Sequence, residues 1–258
     1  MTLEEYILNP MGKSNAVLSA AAREAQRKIY SSKFNNILLR ENGKIDYFLY
    51  KGKGAVYYVH VKIPSEVVKD FYYDVVLKFI GSDKLVANAS GLDKYDVQFY
   101  SNDPAFVYTY AYVFRKKGLF IPELAPKMSK KALKTPAHEK NPENMVGYVK
   151  SLYFAYLFMK QRGLFSKIKF VSAPDINIKS LLSNIEDADS KIEKRQELGE
   201  KVSKRKKETI SKSDYNKIKR MGVKDDSLSG FNVTTTKKVG VVKNKASNIK
   251  RTKSTKRF

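Results

Sequence analysis

Of the 31 Phe and Tyr residues in the chain, 28 fall between residues 1 and 170, and only Tyr215, Phe231 and Phe258 follow. Aromatic rings are the largest apolar surfaces available for burial, and there is no Trp to supplement them. A packed body therefore ends near Val171, and the last third must be built differently. Hydrophobic residues make up 42% of the 258, ample for a core within that body. Charge divides in the same way. Residues 191–258 hold 22 Lys or Arg against 7 Asp or Glu, and residues 1–190 hold 28 against 19. From Asn232 to Phe258 there are nine basic residues and no acid. Such a segment cannot bury enough apolar surface to offset its ordering entropy. The organisation expected is a globular body over 1–170 with an extended Lys- and Pro-rich loop at 115–141, a charged helical extension over 171–210, and a flexible basic tail over 211–258.

Within the body the pattern changes period. Thr2 and Glu5 have capping-box spacing and predict a short helix from Leu3 to Leu8. Leu18, Ala21, Ala22, Ala25 and Ile29 recur at helical spacing and predict a helix from Ala16 to about Leu39, continuous or broken at Ser31-Ser32. Alternation then takes over. Residues 44–50 and 55–63 flank Lys51-Gly52-Lys53-Gly54 as a hairpin, 71–80 gives a third strand, and 96–100 and 105–114 give two more. The fold class expected is α+β, a mainly antiparallel sheet of about five strands packed with N-terminal and central helices. Asn141-Pro142-Glu143 marks the start of the central helix and Gly163 its stop. Ile178, Leu181, Leu182, Ile185 and Ile192 predict a further helix that continues as a charged stretch through Lys207.

Several chemistries lose support at this level. With no Cys and only His60 and His138, thiolate metal sites, disulfides and cysteine nucleophiles are excluded, and zinc has almost no ligands. Gly12-Lys13-Ser14 ends like a phosphate-binding loop, but Ile7 stands where the motif needs its first glycine and no strand precedes it. No G-x-S-x-G turn exists. Asp46 with His60 and Lys62 echoes a metal-dependent nuclease core, with His60 in place of the second acid; alone, His60 reads as a rim or structural histidine. The acidic start Thr2-Leu3-Glu4-Glu5 does not resemble a signal peptide, and no apolar run approaches 18 residues. The reading therefore expects no enzyme, no catalytic residue, no cofactor, no metal, no small-molecule substrate and no membrane.

A net charge of +24 favours partners rich in phosphate or carboxylate. The residues assigned to nucleic-acid or acidic-partner binding are Lys204, Arg205, Lys206, Lys207, Lys237, Lys238, Lys250, Arg251, Lys253, Lys256 and Arg257. Phe106, Tyr108, Tyr110, Tyr112 and Phe114 alternate on one face of the expected fifth strand. They read as core or interface, or as a strip on which unpaired bases stack.

Three strings carry a resemblance: Asn9-Pro10-Met11-Gly12-Lys13, Ile63-Pro64-Ser65-Glu66, and the run from Val97 to Phe106. Over about residues 1–170 the chain resembles bacteriophage virion structural proteins, those found among head, neck and tail genes of phages of low-GC Gram-positive hosts. The resemblance implies a non-enzymatic subunit of the virion, made in the host cytoplasm, in the neck or tail-completion (head–tail connector) region. Its implied partners are further copies of itself in a ring, other virion proteins and packaged DNA, with assembly through the sheet edge and helices. The alternatives are a free, sequence-nonspecific nucleic-acid-binding protein and a metal-dependent nuclease.

Overall fold

The computed structural model describes residues 1–8, 20–82, 91–141, 144–147, 149–207, 210–211 and 233–234. The chain divides into two units, residues 1–200 and 201–258. In the first, helix α1 (Leu3–Leu8) begins with the capping box read from the sequence. Glu5 N donates to Thr2 Oγ1 at 3.2 Å and Thr2 N donates to Glu5 Oε2 at 2.8 Å, satisfying two amides at the helix start. Helix α2 (Ala20–Arg40) is unbroken through Ser31 and Ser32. The expected start at Ala16, like the Gly12-Lys13-Ser14 string, lies outside the described residues.

Four antiparallel strands follow in the order β1 (Tyr47–Lys51), β2 (Val56–Pro64), β3 (Tyr72–Ile80) and β4 (Asp96–Ser101). The register aligns Val59 with Leu77 and Leu77 with Phe99, so the odd-numbered residues of the sheet share one face. That face carries α1, through Tyr6 against Phe99, and the central helix α5 (Lys150–Arg162), through Phe158 against Tyr47. The even-numbered face is also covered. Tyr100 packs on Phe120 and its hydroxyl donates to the Lys127 carbonyl at 3.0 Å. A sheet closed on both sides explains why Val75 and Val76, which point to opposite faces, are both fully buried.

The expected fifth strand is a helix. Residues 104–116 run as a short α-helical start, a π-helical turn at Phe106–Tyr110, and α3 (Ala111–Lys116). Asp103 caps it, its Oδ1 accepting from Ala105 N at 2.8 Å, and Pro104 occupies the first helical position, where a missing N–H costs nothing. The five-aromatic strip is therefore not one face. Phe106, Tyr110 and Phe114 are buried, Tyr108 is 47% exposed, and Tyr112 is half-buried.

Segment 115–141 is likewise not an extended exposed loop. It forms a 3₁₀ helix (Pro122–Lys127) and α4 (Lys130–Lys134), and it sends Phe120, Ile121, Leu124, Met128 and Leu133 into the core. Its prolines suit the 3₁₀ turn, whose first residue is Pro122.

Helix α5 starts at Lys150 rather than after Asn141, and Pro142 and Glu143 lie outside the described residues. Buried Asn141 instead closes a turn, its Nδ2 donating to Met145 O at 2.8 Å and its Oδ1 accepting from Met145 N at 3.0 Å. The stop at Gly163 is as expected, with the left-handed φ of 63° that glycine tolerates.

Beyond residue 171, α6 (Ile178–Asn184) and α7 (Ala188–Lys207) are separate helices, and Leu181, Ile185, Ala188 and Ile192 join the main core. In the second unit Ile210–Ser211 (β5) pairs in parallel with Val233–Thr234 (β6). Among the described residues no helix is long and apolar enough to cross a membrane.

The outer strands of the sheet are covered to different extents. On β4, Val97 N donates to Met1 O, and Phe99 exchanges bonds with Leu119 and Ile121. On β1, Lys51 N donates to Pro174 O at 2.9 Å and Ile176 N donates to Lys51 O at 2.6 Å. The β4 edge is thus occupied by the chain itself, whereas on β1 Lys51 is paired and the outward positions at Tyr47 and Leu49 are not, among the described residues.

Candidate functional site

His60 lies inside the molecule. It is 0% exposed, sits on β2 beside Phe48, and its Nε2 is 2.9 Å from Asp74 Oδ1 on β3. The other Asp74 oxygen accepts from Asn102 Nδ2 at 2.9 Å, and Asn102 Oδ1 accepts from Asp74 N at 2.8 Å. Asn102 Nδ2 also reaches Glu186 O at 3.3 Å, tying the start of α7 to the sheet. Burial pushes the Asp74 carboxyl up; the hydrogen bonds from His60 and Asn102 and the electrostatic pull of His60 and Lys191 outweigh it and hold the group below its ordinary value. The dyad resembles catalytic pairs in composition, but both side chains are buried. His60 is a structural rather than a rim histidine, and Asp46, His60 and Lys62 line neither of the two clefts beside the helical run 104–116. Among the described residues no three His, Asp or Glu side chains group as a metal site would require.

Two clefts flank the π-helical turn, and Tyr108 and Thr109 line both. The larger, about 380 Å³, lies between the end of β2 (Ile63–Glu66), the helix start at Asp103–Ala105, and α5 at Lys150 and Ser151. Burial foremost raises the Asp103 carboxyl above the usual range, against the Ala105 amide, the Lys150 charge, the Ser151 hydroxyl and Arg195. Lys150 is paired with Glu66, which Lys33 also approaches at 3.6 Å. Arg195 comes from α7 to the side of Tyr73, whose hydroxyl burial pushes up to about 12; the Arg195 Nε is buried without a hydrogen-bond partner in the protein. Of the charges lining this cleft, Glu66 and Lys150 are thus paired, whereas Lys140, Arg195 and Asp103 take part in no ion pair among the described residues.

The smaller cleft, about 190 Å³, lies between the π turn and α4. Val107, Tyr108 and Tyr112 form one wall, and Lys131, Ala132 and Thr135 the other. Lys116 Nζ stands 6.0 Å from the Tyr112 ring centre. This cleft is bordered by positive charge that takes part in no ion pair among the described residues.

Of the basic residues singled out from the sequence, Lys204, Arg205, Lys206 and Lys207 fall at the C-terminal end of α7. Lys237, Lys238, Lys250, Arg251, Lys253, Lys256 and Arg257 lie outside the described residues. The structure separates Tyr108 and Tyr112 from their buried neighbours and brings them together beside Lys131. Sequence reasoning did not single out Asp74, Asn102 or Arg195 as a set. The one local signal available was Asp103-Pro104, a helix start that the aromatic alternation after it masks. No protein family, curated protein or solved structure matches this chain.

Proposed function

We propose that this protein is a non-enzymatic structural subunit of a bacteriophage particle, in the neck or tail-completion region, where it assembles with copies of itself as a ring and contacts other virion proteins. The observation that carries the reading is where the resembling strings lie. Ile63–Glu66 and Asp103–Ala105 are nearly 40 residues apart in the chain, yet they face each other across the larger cleft. Parts of two of the three strings thus meet at one surface, while most of the string 97–106 is buried and residues 9–13 lie outside the described residues. That surface is suited to receiving a neighbour, since it is concave, carries the apolar side chains of Ile63, Val67 and Tyr108, and offers Lys140 and Arg195 for polar contacts. The basic residues at the end of α7 and in the tail supply the complementary contact, to packaged DNA or to acidic neighbours.

Light scattering of the purified full chain tests this directly. A discrete oligomer, its mass independent of added DNA, is expected; a monomer at every concentration whose only association is salt-sensitive DNA binding would overturn it in favour of a free nucleic-acid-binding protein. Within an assembling protein, Pro104→Arg should block oligomer formation without unfolding the monomer.

A further inference from the structure

The surface formed by α3 and α4 is chemically unlike the rest of the body. Arg115, Lys116 and Lys117 stand at the end of α3, and Lys130, Lys131 and Lys134 on α4; all six are exposed. None takes part in an ion pair among the described residues. Between 115 and 140 the only acids are Glu123 and Glu139. Glu123 is already engaged by Lys78 at 2.5 Å and by the Tyr58 hydroxyl at 3.3 Å. The two rows of charge are held in fixed relation, because Arg115 Nη1 donates to the Leu133 carbonyl at 3.2 Å and Leu133 is buried. Helix-end electrostatics accounts for one or two cations at the end of α3. It does not account for six without a counterion.

The smaller cleft opens within this surface. Its walls are Tyr108 and Tyr112 on one side and Lys131 and Ala132 on the other. At about 190 Å³ it is below the roughly 300–1,000 Å³ of pockets that enclose drug-sized ligands. A flat aromatic group of modest size matches it better. Tyr108 leaves 47% of its surface in solvent at the mouth, although every other aromatic of that helical run is half-buried or buried.

We propose that this face binds single-stranded nucleic acid: an unpaired base enters the cleft against Tyr108 and Tyr112, while the phosphates on either side meet the cations of α3 and α4. Aromatic faces between basic rows are the general means of holding single strands, stacking being indifferent to base identity and phosphate contacts indifferent to sequence. A duplex keeps its bases stacked inside and would meet the lysines alone. The site is independent of the basic tail and of residence in a particle.

The test uses the full chain and fluorescence anisotropy, with a labelled oligothymidylate of about 16 nucleotides and a duplex of equal length. Tyr108→Ala is expected to weaken oligothymidylate binding about 5- to 100-fold and leave duplex affinity within about twofold. Replacing Lys130, Lys131 and Lys134 by Gln should flatten the salt dependence for the single strand by about two phosphate contacts. A chain with Lys237, Lys238, Lys250, Arg251 and Lys253 changed to Gln should lose affinity for both ligands alike and keep the effect of Tyr108→Ala. The proposal is overturned if Tyr108→Ala changes neither affinity, if it changes both equally, or if an acidic peptide competes with oligothymidylate at equal charge. Tyr108 lies at the surface, and an unchanged near-ultraviolet dichroism of the variant shows that the fold is retained.

Discussion

Asp74 and Asp103 are both nearly buried, at 5% and 8% exposure, and both belong to the strand ends around Ser101–Asn102. Their carboxyls are nevertheless displaced in opposite directions. Asp74 receives donors from His60 and Asn102 and is held down. Asp103 accepts the Ala105 amide at the wall of a cleft, and burial raises it. Burial by itself does not decide the sign; the donors aimed at the oxygens do. The first region stabilises the fold through its charge, whereas the second keeps a charged cap in spite of the cost. Asp and Asn cap about equally well, so the cap itself does not require the charge.

The two carboxyls, and the segments packed around them, differ in how much stability they carry. The largest effect is for Asp74→Ala, which leaves His60 Nε2 without its partner and the Asn102 amide with only the longer bond to Glu186 O; a loss of about 3 kcal/mol is expected in urea unfolding. A loss below about 1 kcal/mol would mean that the cluster is not a stabilising element. Gly147→Ala comes next. A Cβ there would lie 2.1 Å from the Tyr110 ring, so the segment entering α5 must shift away from the helical run, at about 2 kcal/mol. Tm measured by calorimetry reads this, and an unchanged value would mean that the segment is not held by packing.

A smaller effect, of opposite sign, is expected for Asp103→Asn. The cap is kept and the charge removed, so stability at neutral pH should be unchanged or up to about 1 kcal/mol higher. The pH profiles sharpen the contrast. The lowered Asp74 value means stability that is present above the unfolded carboxyl range near 3.9 and lost as pH falls through the folded value. The raised Asp103 value means stability that is full below that range and lost as pH rises through the folded value. Asp103→Asn should therefore steepen the net fall in stability on acidification, and Asp74→Asn should flatten it. Identical profiles for the two variants would break the comparison. Smallest of all is Ser151→Ala, which removes the 3.2 Å contact with the Ser101 hydroxyl and should cost about 1 kcal/mol or less.

Much of the fold was legible because local chemistry and burial agree. Thr2 and Glu5 form the capping box that their spacing announces, Gly163 ends α5, and the hairpin and β3 lie within about three residues of their alternating patterns. The helical run 104–116 was not legible, since Phe106 to Phe114 consists of residue types that favour strands and alternates in the strand period. The deciding signals were the cap at Asp103-Pro104 and the burial of adjacent pairs, Phe106 with Val107, Tyr110 with Ala111, and Val113 with Phe114. Adjacent buried pairs about four residues apart fit a helix, and a sheet buried on one side would expose one of each pair. The clefts were hidden for the same reason, because both are built around that run. Asp74 and His60 face each other only through the β2–β3 register, which aligns His60 with Val76 and Lys62 with Asp74.

The short pairing of Pro174–Ile176 with Lys51 has a consequence for solubility. A free strand edge is a template on which other chains can continue a sheet without limit, and proteins that expose one risk growing into fibres. Here the backbone groups of Lys51 are occupied from within, leaving only the outward positions at Tyr47 and Leu49 of β1 unbonded among the described residues. Two residues are too few to seed a stable foreign strand. The segment between the central helix and α6 thus serves as a stopper, and a chain cut before Pro174 would present a longer, stickier edge.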